Sequence, residues 1–197
     1  MIQTLTRALP ALREARVKAG LRALALTSLG AAVTAAGAQA AFHTPFTPVP
    51  ITFQTLCVLL SGWMLGSRLG ALSQVEYLAL GMMGLPVFAG GTAGPAAFVG
   101  ASGGYLPGFV LAAWLVGRLT EQMRQPGAVK RFAAMLAGVF AIYIPGILWL
   151  AVWLHATTAN GNGLLHAALL GIVPFLAVDA LKAALAAEIG GRLRRRF

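Results

Sequence analysis

The sequence predicts an all-α membrane protein of six transmembrane helices with both termini in the cytoplasm. Three observations predict this: an apolar composition, apolar runs of membrane-spanning length, and cations confined to alternate gaps between those runs. Of 197 residues, 58% are hydrophobic and 10% charged, and the mean hydropathy is +0.79. A soluble domain carries roughly 25% charged residues, so a water-soluble globule is excluded, and with so much apolar surface to bury, so is a disordered chain. The runs fall at about 20–41, 52–66, 69–84, 105–122, 131–154 and 174–190. They are read as helices because a lipid-exposed backbone must satisfy its own hydrogen bonds.

The first run follows residues 1–19, a basic, amphipathic cytoplasmic arm; the core from Gly20 to Phe42 is too long for a removable signal peptide. Runs two and three nearly abut through Gly66-Ser67-Arg68-Leu69-Gly70, which reads as a tight turn. The last stretch, 164–190, is long for one helix. Gly171 and Pro174 predict a break, with Pro174 opening the sixth span and 164–171 a short interfacial helix. A basic tail, 192–197, follows the six-helix domain of 20–191.

Charge placement sets the orientation. Of 15 cations, 14 fall before span one, between spans two and three, between four and five, or after six. The opposite loops 43–51, 85–104 and 155–173 contain no Lys, Arg, Asp or Glu. Positive residues stay in the cytoplasm, which also explains the net charge of +10 without nucleic acid as a partner. Loop 43–51 is stiffened by three prolines, and the apolar, glycine-rich loop 85–104 is read as a lid or cavity wall.

Charges inside the spans carry the functional signal, because each costs roughly 2.5–3.5 kcal/mol to bury in hydrocarbon. Asp179 and Lys182, spaced i, i+3, share one face of span six in the outer half of the membrane. They are read either as a self-neutralising ion pair or as a site for a ligand with an acid group and a polar head. Glu76 in span three can serve that site, bond between helices, or protonate in place. Thr52 and Gln54 begin span two near the outer surface, where they contact ligand or a neighbouring helix. Small residues spaced by four (Ala31 and Ala35; Gly100, Gly104 and Gly108) suit close helix approach. Cys57 is alone, no GxxxxGK[ST] phosphate loop occurs, and His43, His155 and His166 show no metal-binding spacing. The chain is therefore not its own ATP motor. Gly100-Ala101-Ser102-Gly103 matches the GxSG of rhomboid-type intramembrane serine proteases, but the last span offers Asp179 and Lys182 in place of a histidine base.

An ordered set of segments resembles the BioY family, the biotin-specific S components of energy-coupling-factor (ECF) transporters. They are Val49-Pro50-Ile51-Thr52-Phe53-Gln54-Thr55-Leu56, Leu65-Gly66-Ser67-Arg68-Leu69-Gly70, the run from Tyr77 through Leu85-Pro86-Val87-Phe88-Ala89-Gly90-Gly91, Gly103-Gly104-Tyr105-Leu106-Pro107-Gly108-Phe109, and Pro174 through Lys182. The resemblance implies a six-helix S-component fold in the cell membrane and biotin as ligand. It also implies a transmembrane coupling protein and two ATPase subunits as partners, with no cofactor or enzymatic activity in this chain. By the same resemblance Asp179 and Lys182 match the family's DxxK and contact biotin's polar groups. Thr52, Gln54, Tyr77, Phe88, Gly90, Gly91 and Tyr105 occupy pocket-lining positions, and Ala31 and Ala35 form the docking pair for the coupling protein. Glu76 departs from the apolar residue usual there, and Ala89-Gly90-Gly91 offers backbone where some relatives offer polar side chains. An S component for a different vitamin, or an intramembrane protease, are the alternatives.

Overall fold

The computed structural model describes residues 2–123, 126–158 and 163–194, with side chains from Arg13 to Leu193. Arg124, the tail beyond Arg194, and the side chains of Arg7 and Arg194, all counted above among the cytoplasmic cations, lie outside the described residues. In chain order the elements are α1 (Ile2–Gln39), β1 (Ala41–Thr44), β2 (Thr47–Thr52), α2 (Gln54–Met82), a 3-10 turn (Ala89–Gly91), α3 (Ala96–Val99), α4 (Tyr105–Glu121), α5 (Ala128–Thr157), α6 (Leu164–Gly171) and α7 (Val173–Arg194). α1, α2 and α5 contain segments long and apolar enough to cross a membrane, and α6 with α7, bent by 46°, makes a fourth such span if counted as one.

α2 is two helices in space. Gly66 has φ 78° and ψ 179°, a backbone state that is essentially glycine-only, and the chain reverses there. The reversal is proved by Gln54, whose Nε2 lies 2.7 Å from the Tyr77 hydroxyl. Along an unbroken helix those residues would stand about 34 Å apart. The tight turn expected at 66–70 thus joins arms 54–65 and 67–82. Ser67 opens the second arm with its backbone N–H donating to Glu121 Oε1 at 2.7 Å, which ties the turn to the end of α4.

α2 packs against α1, α4 and α7, while α5 packs against α4, α6 and α7. The α4–α5 approach depends on missing side chains. A Cβ at Gly104 would stand 2.4 Å from the Pro145 carbonyl oxygen, and one at Gly108 would stand 2.9 Å from Ile142 Cα. Two members of the expected small-residue stripe therefore seat one helix on another. The break near Gly171 also falls where the residues predict it, with α7 starting at Val173 just before Pro174.

Two expectations need correction. The chain is not purely α-helical, because the proline-rich loop pairs β1 with β2 as an antiparallel hairpin, Phe42 opposite Ile51 and Thr44 opposite Thr47. β2 tolerates Pro48 and Pro50 because it has one neighbour only, so a missing N–H can face its free edge. Second, Ala31 is 1% exposed and Ala35 packs on the core, so the expected docking pair faces the bundle, whereas Ala32 and Ala36 are exposed. Of the three roles open to Glu76, the structure shows interhelical bonding: its Oε1 accepts from the Ser28 hydroxyl at 2.5 Å, joining α1 to the second arm of α2.

Candidate functional site

One end of the bundle holds an open-mouthed cavity of about 270 Å³. Its base is α7, where one turn of helix brings Asp179 and Lys182 onto the inward face; they are 3% and 5% exposed. Lys182 Nζ donates to Asp179 Oδ1 at 2.7 Å, and the Tyr143 hydroxyl donates to Asp179 Oδ2 at 2.8 Å. A carboxylate buried this deeply needs such partners, because an uncompensated charge costs several kcal/mol, roughly. The pair is neutral as a unit, yet two donor positions of the ammonium and the remaining lone pairs of the carboxylate are uncommitted among the described residues.

A second polar group enters from the start of α2. Thr52 Oγ1 donates to Gln54 Oε1 at 3.0 Å, Gln54 Nε2 donates to Tyr77 Oη at 2.7 Å, and Tyr77 donates to the Val87 carbonyl at 3.2 Å. This relay links the hairpin, both arms of α2 and the glycine-rich loop, and satisfies polar groups that water does not reach. Between the polar groups the wall is apolar, with Val49, Phe88, Leu106, Phe109, Ile142 and Phe175. Phe88 is held edge-on by Tyr77 at 5.5 Å and by Phe98 at 5.7 Å. The loop 85–104 is thus folded as a cavity wall, with Ala89, Thr92, Ala97 and Ser102 among its lining residues.

Of the residues expected at the site, Asp179, Lys182, Thr52, Gln54, Phe88 and Tyr105 line the cavity. Tyr105 does so while donating to the Gly171 carbonyl at 3.1 Å, which pins α4 to the break between α6 and α7. Three others stand elsewhere. Tyr77, wholly buried, sits behind Gln54 and Phe88. Gly90 and Gly91 lie on the outer side of the loop, where positive φ values of 65° and 77° turn it so that Ala89 and Thr92 face inward. Residue reading missed Tyr143, the second partner of Asp179. The available signal was a tyrosine in an apolar run, whose hydroxyl must find an acceptor among the helices. It also missed His43, which lines the cavity from β1. Among the described residues no three His, Cys, Asp or Glu side chains are grouped to hold a metal ion.

Taken together, a bundle of apolar helices around an apolar-walled hollow with a few convergent polar groups defines a polytopic binding protein for a small molecule. The sequence model of the BioY family matches residues 9–197. A probable biotin transporter BioY of Pyrococcus horikoshii is 36% identical over 171 residues, covering 87% of this chain and 95% of that protein. The biotin transporter BioY of Thermotoga maritima is 38% identical over 151 residues, covering 77% and 84%. A crystal structure of the S-component for biotin from an ECF-type ABC transporter superposes with a TM-score of 0.79 at 28% identity, covering 90% of this chain and 93% of that one. The chain belongs to the BioY family. It shares the S-component fold and is a transport protein and not an enzyme, so the protease reading of Ser102 falls away.

Proposed function

We propose that this protein is a biotin-binding S component, taking up the vitamin in the cell membrane with an ATP-driven ECF module. The observation that carries the proposal is the buried Asp179–Lys182 pair at the base of an apolar-walled cavity, in a chain whose relatives are named biotin transporters. Biotin has an ureido ring rich in donors and acceptors, an apolar bicycle and a carboxylate tail. Asp179 accepts from the ureido N–H groups and Lys182 donates to the ureido oxygen while orienting Asp179. Thr52, Gln54, Phe88 and Tyr105 shape the wall, Tyr77 fixes Gln54, and Gly90 and Gly91 set the loop that closes it.

Six spans follow if α1, the two arms of α2, α4, α5 and α7 each cross the bilayer. Both termini then lie in the cytoplasm, because the cations of 13–22, Arg68, Arg118, Lys130 and Arg192 belong to the end remote from the cavity. At that end Arg131 joins α5 to α7 by donating from Nε to the Ala187 carbonyl at 2.9 Å, about 18 Å along α5 from Tyr143. The partners are a transmembrane coupling protein and two ATPase subunits, which alone use ATP; the S component itself takes no cofactor. The exposed small pair Ala32 and Ala36 gives the coupling protein a surface for close helix approach. Mass spectrometry of ligand released from protein purified without added vitamin tests the reading. Biotin is the expected product; a different vitamin would keep the fold and overturn the specificity.

A further inference from the structure

Resting on the biotin reading, we infer that His43 is the residue that recognises the ligand's carboxylate. The argument begins with charge. The base of the cavity already holds one carboxylate and one ammonium in contact at 2.7 Å. In the biotin reading that ammonium is shared between Asp179 and the ureido oxygen, so a second carboxylate placed there would meet the Asp179 charge in a water-poor site, where like charges repel strongly. The ligand's acid group is therefore directed away from the base, toward the opening.

At the opening the choice is narrow. Three cavity-lining residues, His43, Pro48 and Thr92, are exposed to solvent, and only the first can carry positive charge. No Lys, Arg, Asp or Glu occurs in residues 41–52, 83–104 or 155–173, which make up the surrounding hairpin, loop and α6. The other titratable groups on the cavity wall are Asp179, Lys182, Tyr105 and Tyr143, all of them buried. His155 and His166 are exposed at this end of the molecule but do not line the cavity. The β-hairpin gives His43 its place: Phe42 pairs with Ile51 and Thr44 with Thr47, and the irregularity between them falls at residue 43. Bulges of this kind re-aim a side chain.

The imidazole N–H of His43 can donate to the acid at the mouth of the cavity. The test compares biotin with biotinamide, in which an uncharged carboxamide replaces the acid, by calorimetry on the wild type, His43→Leu and His43→Arg. The ratio of biotin to biotinamide affinity is expected to fall about three- to fivefold in His43→Leu, the range of a solvent-exposed charged contact. In His43→Arg it should equal or exceed the wild-type ratio. A wild-type ratio near one, or an unchanged ratio in His43→Leu, overturns the assignment, and a ratio below wild type in His43→Arg does so if the leucine variant does not fold. Failure of the wild type to bind either compound overturns the biotin reading and the role of His43 with it, whereas a ratio near one overturns the role of His43 alone.

Discussion

Replacing Asp179 by Asn separates the two tasks this carboxylate performs. The change keeps the side-chain shape but removes the charge and one acceptor. Asp179 accepts from Lys182 at one oxygen and from Tyr143 at the other. The amide of Asn has one oxygen only, which must serve Lys182 because an ammonium cannot accept. Its NH2 then faces Tyr143, whose hydroxyl can rotate to accept, and no anionic acceptor is left for the ureido N–H groups. A hydrogen bond to a charged group contributes about 1.5–3 kcal/mol and a neutral one about 0.5–1.5, so roughly 1–2 kcal/mol of binding is lost. That corresponds to an affinity about 5- to 30-fold weaker. Stability falls as well, since Lys182 at 5% exposure loses its counter-charge, and breaking such a pair costs up to about 3–5 kcal/mol. Removing both charges, as Asp179→Asn with Lys182→Met, should recover thermal stability but not binding. Calorimetry with biotin and thermal unfolding in the same detergent check both arms. An Asp179→Asn protein that binds within twofold of wild type, or a double variant with native affinity, would refute the placement of the ureido ring on Asp179.

Other substitutions probe the layers around the cavity. Tyr77→Phe removes the acceptor of Gln54 and the donor to Val87 while keeping the aromatic contact with Phe88, so biotin affinity should drop a few-fold with the fold intact; a wild-type binding isotherm would show that the relay has no influence on the site. Gly66→Ala forces a side chain into a glycine-only backbone state at the turn of α2 and should cost about 1–3 kcal/mol, read as a lowered Tm, with an unchanged Tm counting against a rigid hairpin. Ala32→Leu should weaken capture by the coupling protein and spare biotin binding, whereas Ala31→Leu should lower the Tm of the isolated protein. The reverse pattern would restore the inner pair as the docking surface.

Much of the fold and the centre of the site are legible in the residues alone. Runs of apolar residues must be helical where no water can satisfy the backbone, and charge cannot be left in such runs without a purpose. That reasoning singles out Asp179 and Lys182 and puts them on one face, since a spacing of three is nearly a full turn. The turn at Gly66 and the break before Pro174 are local as well, written in residues whose backbone preferences are strong.

Rotation about a helix axis is a different matter. Neighbouring residues differ by about 100°, so Ala31 and Ala35 face the core while Ala32 and Ala36 face outward. With alanines at all four positions, nothing in the composition distinguishes the faces, and only packing against α2 decides. Partnerships between distant segments are likewise tertiary. Tyr143 meets Asp179 across 36 residues of chain, Glu76 meets Ser28 across 48, and Tyr77 is held behind the cavity by a glutamine on the other arm of α2. Sequence by itself determined which segments are apolar helices, where they bend and that Asp179 and Lys182 need burial together, because those follow from local backbone and solvation energies. Which side chains meet at the cavity was decided only when the helices packed, because that depends on their relative rotation and register.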